Sequence, residues 1–183
     1  MGKIATKAFL TKGVGRHKDR LTSFELALHS AGIAQFNIVT VSSILPPHAR
    51  IVPRSEGLKE LTAGQILYTV MSRAESNEPY RHLAASVGVA IPKDRSMYGY
   101  LSEHHSFGQT DEQAGEYAED MAAEMLATIL NVEFDADKSW DERREFWRLS
   151  DQIVRTTNVA QSARGGKDSR WTSVVAACVL VDA

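Results

Sequence analysis

At 183 residues, with 43% hydrophobic and 24% charged residues, the chain has the size and composition of one globular domain able to bury a sizeable core. A formal net charge of −2 provides neither the basic footprint of a nucleic-acid binder nor a cationic face for membranes. No apolar run approaches the ~20 residues of a membrane span, Met1 to Lys12 lacks the apolar stretch of a secretory signal, and a single cysteine forms no internal disulfide, so a cytoplasmic protein is expected.

In chain order, residues 4–10 predict a short strand. Lys12-Gly13-Val14-Gly15-Arg16-His17-Lys18 predicts a mobile surface loop, because its glycines lack the spacing of either nucleotide fingerprint. Phe24, Ala27, Leu28 and Ala31 share one face of a helix predicted from about Thr22 to Ala31. Thr22 with Glu25 matches a capping box, and Gly32 supplies the stop. Phe36 to Val41 reads as a buried strand interrupted by Asn37, whose amide is either a structural anchor or a polar group in a pocket. Ser42 and Ser43 stand where that strand ends. Pro46 and Pro47 fix φ and lack an N–H, and Leu45 is driven to extended geometry by the proline after it. A hydroxyl pair is thus held just ahead of an enforced turn; on these residues alone a polar strand terminus is the plainer account.

Further on, Arg50 to Pro53 reads as a short extended piece and Gln65 to Met71 as a strand, followed by a polar loop from Ser72 to Pro79. Leu83 to Ile91 predicts a buried strand, and Tyr98 to Glu103 another that delivers Glu103 near its end. A second helix spans about Asp111 to Leu130, capped by Thr110 with Gln113. Its expected buried stripe is Ala114, Tyr117, Met121, Met125 or Leu126, and Ile129. Residues 135–149, charged with three aromatics, suggest a surface helix or a subunit contact. Ser162 to Asp168 reads as a hairpin connection, and Val174 to Val181 as a buried strand with Cys178 as a small core residue. No repeat or linker divides the chain. Helices segregated from runs of strands argue for an α+β fold with largely antiparallel sheets.

For chemistry, Glu103-His104-His105 is the one cluster of metal-ligand types. Adjacent strand histidines point to opposite faces and nothing is spaced to join them, so no metal is expected. No nucleophile-elbow motif supports a serine hydrolase. Phe24-Glu25-x-Ala27-Leu28-x-x-Ala31-Gly32-Ile33, Asn37, Val41-Ser42-Ser43-Ile44-Leu45-Pro46-Pro47, Ile51-Val52-Pro53, Val89-Ala90-Ile91-Pro92-Lys93-Asp94 and Gly99-x-Leu101-x-Glu103 together resemble the pyruvoyl-dependent arginine decarboxylases. The likeness runs from about residue 20 to the final strand, and its serine-serine-x-x-proline-proline element is the specific part.

That resemblance implies a four-layer αββα sandwich and a precursor that cuts itself. Ser43 would attack the carbonyl of Ser42, giving residues 1–42 and 43–183, with the new end of the second converted to a pyruvoyl group. That group, rather than a metal or pyridoxal phosphate, would form an imine with the substrate amine and accept the electrons as CO2 leaves. It further implies Glu103 as proton donor and Asn37 as an aid to cleavage and catalysis. Glu25 would bind the guanidinium, with Leu21, Ser42 and Ile44 along the substrate. Family members assemble as trimers or pairs of trimers with sites between subunits. The family usually has aspartate where Glu25 stands, and glycines are familiar where Leu26 and Ala34 stand, which bears on arginine specificity. Decarboxylation of another amino acid, and an uncleaved binding or assembly relative, are the alternatives.

Overall fold

The structure is a computed structural model that describes residues 4–131 and 152–181; the stretch 135–149 lies outside them. Strand β1, Lys7–His17, pairs antiparallel along its whole length with β9, Trp171–Val181, which pairs on its other side with β5, Ile66–Ser76. Two short strands complete this sheet at its edges: β2, Asn37–Thr40, parallel to β5, and β4, Arg50–Ile51, parallel to β1. The second sheet has the order β3, β7, β6, β8, with β3 at Ile44–Leu45, β6 at His82–Pro92, β7 at Gly99–Phe107 and β8 at Ile153–Arg164, all antiparallel.

The sheets stack face to face over a core that includes Val70, Ala74, Leu83, Val87, Val89, Leu101, Val174 and Cys178. Each large aliphatic chain buried there contributes about 1.5–3 kcal/mol. Helix α1, Arg20–Ala31, covers the outer face of the five-stranded sheet through Ala27, Leu28 and Ala31. A longer helix covers the outer face of the four-stranded sheet; it is α3, Asp111–Ile129, after the single turn α2 at Arg54–Gly57. The layers are therefore helix, sheet, sheet, helix, the αββα sandwich expected.

Several expectations are corrected. The supposed mobile loop is the second half of β1, and its glycines face α1. A Cβ at Gly13 or Gly15 would fall on the helix carbonyls of Ala27 or Ser23. Those glycines admit a helix, not a phosphate. Helix α1 starts two residues earlier than its Thr22 signal, because the carboxylate of Asp19 accepts from the Thr22 N–H at 2.9 Å. The Thr22–Glu25 box does not form. Gly32 does terminate α1, at φ 77°, with the Ile33 N–H returning 3.0 Å to the Leu28 carbonyl.

Strand β5 continues through the predicted polar loop to Ser76, because its serines and charges find partners inside the fold. Helix α3 has the Thr110–Gln113 capping box, but it buries Ala114, Ala118, Ala122, Ala123, Leu126 and Ala127 and leaves Tyr117 exposed. Small residues are needed on that stripe because the helix backbone rests on Gly88, where a Cβ would meet the Ala118 carbonyl. The 162–168 segment is no hairpin: β8 belongs to one sheet and β9 to the other, so it crosses between them. Cys178 is buried as expected, and burial pushes its thiol up to about 12, which leaves it inert.

Candidate active site

The serine pair lies where the chain passes from one sheet to the other. On one side the Val41 N–H donates 2.9 Å to the Thr69 carbonyl of β5; on the other the Ser43 carbonyl accepts from the Leu101 N–H of β7 at 2.8 Å. Ile44 and Leu45 then pair with Tyr100 and Gly99, and Leu45 is buried in the inter-sheet core. Between these anchors the Ile44 N–H donates 3.0 Å to the Ser42 carbonyl, closing a three-residue turn centred on Ser43. A second turn follows, with the Ala49 N–H 3.2 Å from the Pro46 carbonyl. His48 sits at φ 60° in it, and its N–H is held by the Arg95 carbonyl at 2.9 Å. The prolines thus end β3 as their missing N–H groups require. The Ser42–Ser43 link is fixed from both ends.

Glu103 is not at a strand end. Strand β7 runs on to Phe107, and Glu103 sits mid-strand, paired with Val87 of β6 and exposed. Its neighbours are both pinned to α3. The Ser102 hydroxyl donates to the Ala118 carbonyl, and His104 Nε2 lies 2.8 Å from Gln109 Oε1 with its ring 4.3 Å from that of Tyr117. Strand alternation turns Glu103 to the opposite face, the one Leu101 uses. Leu101 is the partner of Ser43, so Glu103 follows about 7 Å further along the same face.

Asn37 is exposed rather than buried, because β2 is an edge strand. Its Nδ2 donates 2.7 Å to the Gly64 carbonyl, which ties the start of β2 to the loop before β5. Ile38 packs toward α1, so Asn37 and Val39 point to the inner face of their sheet, where the second sheet does not reach. Val39, Ile66 and Tyr68 leave an apolar patch there, 41%, 56% and 44% exposed.

Leu21 and Glu25 lie on the exposed side of α1, in the outer layer. Leu21 is 72% exposed, and Glu25 pairs with His29 Nε2 at 3.5 Å. Among the described residues no hydrogen bond or ion pair joins either to the serine pair. The structure therefore brings together Ser42, Ser43 and Ile44 beside the strand of Glu103, and leaves Asn37, Leu21 and Glu25 on other elements of the same chain.

Two groups escaped sequence reasoning. The N–H donors of Ile44 and Leu101 are backbone groups, which no residue pattern reveals. The shielded carboxylate of Glu75 lies in a stretch whose polarity reads as a loop, although alternating Arg73 and Glu75 fit a strand. An open groove of about 450 Å3 beside Tyr80, Arg81 and Phe107 contains none of the expected site residues.

A family model described as Pyruvoyl-dependent arginine decarboxylase matches residues 7–183. The chain is 56% identical over 178 residues to the "Pyruvoyl-dependent arginine decarboxylase" of Nitrosopumilus maritimus, with 97% of each chain covered. It is 54% identical to "Pyruvoyl-dependent arginine decarboxylase 2" of Methanosarcina mazei over 97% of each chain. Against the "Probable pyruvoyl-dependent arginine decarboxylase" of Chloroherpeton thalassium the identity is 54%, over 97% of this chain and 98% of the relative.

Proposed function

Because this chain belongs to the pyruvoyl-dependent arginine decarboxylase family, we propose that it cuts its own backbone between Ser42 and Ser43 and converts L-arginine to agmatine and CO2. The observation that supports this most directly is the turn at the inter-sheet crossing, where the Ile44 N–H already points at the Ser42 carbonyl oxygen. In self-cleavage the Ser43 hydroxyl adds to the Ser42 carbonyl carbon, and the Ile44 N–H stabilises the oxyanion. Collapse expels the Ser43 nitrogen and leaves an ester. Loss of the Ser43 Cα proton and cleavage of its Cβ–O bond release Ser42 as a carboxylate. The dehydroalanine tautomerises, takes up water and loses ammonia, leaving a ketone at the head of residues 43–183.

The Ser43 surroundings fit the group so formed: its carbonyl, adjoining the new ketone, stays hydrogen-bonded to the Leu101 N–H at 2.8 Å. The pyruvoyl group supplies an electron sink for the pair released as CO2 leaves. Glu103 returns a proton to the substrate Cα, and Asn37 orients the reacting end. Glu25 takes the guanidinium, while Leu21, Ser42 and Ile44 flank the rest. Glutamate reaches roughly one bond further than aspartate, so the guanidinium is met further from α1.

The assembly is a trimer or a pair of trimers with sites between subunits. Two features support this: Leu21 and Glu25 lie apart from the serines, and the Val39, Ile66 and Tyr68 patch is bare in one chain. The single cysteine, which leaves no disulfide to form within the chain, favours the cytoplasm.

Intact mass spectrometry of the purified protein tests the reading. Two fragments, 1–42 and a ketone-ended 43–183, are expected, with Ser43→Ala remaining a single chain. Glu103→Gln should still cleave while turnover falls about 100-fold or more, the usual worth of a positioned acid. A wild-type chain that stays whole identifies a binding or assembly relative instead. A processed protein active on lysine, ornithine, histidine or aspartate but not arginine reassigns the substrate.

A further inference from the structure

We propose that Glu75 is a positioning residue for substrate binding, fixing through Arg20 and Arg73 the face of α1 that presents Leu21 and Glu25. The inference rests on the reading that those two residues hold the substrate side chain. The Glu75 side chain is 5% exposed on β5, under the first turns of α1. Its Oε2 accepts from Arg20 Nε at 2.9 Å, with Arg20 Nη2 also at 2.9 Å. Its Oε1 accepts from Arg73 Nη2 at 2.6 Å and from the Ser173 hydroxyl at 3.1 Å. The Ser173 hydroxyl lies 2.7 Å from that of Ser23 on α1. The Arg73 guanidinium stacks 3.6 Å from the centre of the Phe24 ring, and that of Arg20 lies 5.3 Å from the centre of the Trp171 ring. Three residues of α1, Arg20, Ser23 and Phe24, are thereby tied to one carboxylate on the sheet. They flank Leu21 and immediately precede Glu25.

The other contacts of α1 hold its second half, where Leu28 is buried in the outer core and the Thr11 hydroxyl donates 2.5 Å to the Ala31 carbonyl. Over its first turns the helix backbone rests on Gly15, a smooth seat, so the cluster around Glu75 is what sets the rotation there. Only the carboxylate is shielded here, the Arg20 and Arg73 side chains being 62% and 35% exposed, so the pairs are weak evidence for stability; the best-attested use of such a group is to set register. Burial alone would push the Glu75 carboxyl up, but the hydrogen bonds from Arg73 and Arg20 outweigh it and hold the group below its usual range. The carboxylate is thus charged at neutral pH and aims both guanidiniums. A shift of about 1 Å in a substrate-holding group is enough to cost up to 100-fold.

The test compares Glu75→Gln, Glu25→Gln and wild type for self-cleavage, kcat and KM. Glu75→Gln should cleave fully, raise the KM for arginine about tenfold, keep kcat within about twofold, and change the preference between arginine and its one-carbon-longer homologue. An unchanged KM, or a loss confined to kcat or cleavage, overturns the inference. If Glu25→Gln raises KM and Glu75→Gln does not, this inference alone fails. If Glu25→Gln leaves KM unchanged, the reading of Glu25 fails and takes this one with it. Should Glu75→Gln not fold, Arg73→Lys keeps the charge and loses the planar stack on Phe24. It should raise KM by a smaller factor, and an unchanged KM in that cleaved variant decides against the proposal.

Discussion

Helices α1 and α3 occupy equivalent outer layers, and both lie on glycine: α1 on Gly13 and Gly15 of β1, α3 on Gly88 of β6. Their fastenings differ. Helix α3 has a charged contact only at its first residue, where Asp111 pairs with Lys12 at 3.5 Å and accepts from the Ser162 N–H; along its length it is held by neutral groups, the Ser86 hydroxyl donating 2.6 Å to the Ala114 carbonyl and that of Ser102 to the Ala118 carbonyl. Even its buried carboxylate, Glu119, accepts from an amide, Asn158 Nδ2 at 2.6 Å. Helix α1 has one such bond near its end, from the Thr11 hydroxyl to the Ala31 carbonyl, but its first turns are fastened by charge, through Asp19 at the cap and Glu75 beneath them. The difference follows what each helix does. Helix α3 supports β7 from behind and presents none of the proposed site residues; α1 presents two of them and needs its rotation fixed as well as its contact.

The largest effect expected from this comparison comes from the glycines. Valine at Gly88 or at Gly13 would drive a Cβ into a helix carbonyl, and backbone cannot step aside as a flexible side chain can. Overpacking commonly costs 1–3 kcal/mol, and against rigid backbone each variant should lose about 3 kcal/mol or more in urea unfolding. Similar losses would establish a common seat for the two helices. A loss below about 1 kcal/mol at Gly13 would mean α1 floats above its sheet, and the charged fastening would then hold it alone.

Much of this architecture is legible in the sequence, and most of the differences share one cause. The 3.6-residue period located both helices, and the Thr110–Gln113 box and Gly32 marked real ends, because those signals act within a few residues. Most of the differences concern groups whose reason lies on another element; the start of α1, capped by Asp19 rather than Thr22, is the local exception. Gly13 and Gly15 look like loop residues until α1 is laid on them. Ser72 looks solvated until its hydroxyl is seen 2.5 Å from the His104 carbonyl in the other sheet. The alanine stripe of α3 does not stand out in the sequence because the Gly88 surface that selects small residues belongs to β6. At the site, the Ser42–Ser43 pair and its proline turn were readable as a rigid crossing. The donors Ile44 N–H and Leu101 N–H were not, being main chain.

A middle-sized effect separates the layers by function. Ser102→Ala removes the hydroxyl that pins β7 to α3 and should cost about 1 kcal/mol, the net worth of a typical buried hydrogen bond. Because Ser102 adjoins Glu103, turnover should fall several-fold while self-cleavage and the KM for arginine stay near wild type. That profile is the reverse of the one expected for Glu75→Gln. If both variants altered KM alike, the division between a supporting helix and a presenting helix would dissolve.

The smallest effect is electrostatic, and acid should expose it. Thr110→Ala removes a neutral cap from α3 and should cost about 1 kcal/mol at neutral and acid pH alike. The Asp19 carboxyl lies below its usual range because the Thr22 backbone N–H, then the Thr22 hydroxyl, donate to its anion. A folded-state value below the unfolded one stabilises the protein fully above the ordinary carboxylate pKa of about 4, and this contribution is lost as pH falls through the lower folded value. Asparagine keeps the accepting oxygen without titrating, so the difference in melting temperature between wild type and Asp19→Asn should shrink or reverse as pH falls from 7 to about 3. Acid also discharges Glu75 in both of these proteins, so only the difference between them reports the cap. A gap that stayed constant with pH would show that Asp19 works through geometry alone, and α1 and α3 would then be capped by the same physics.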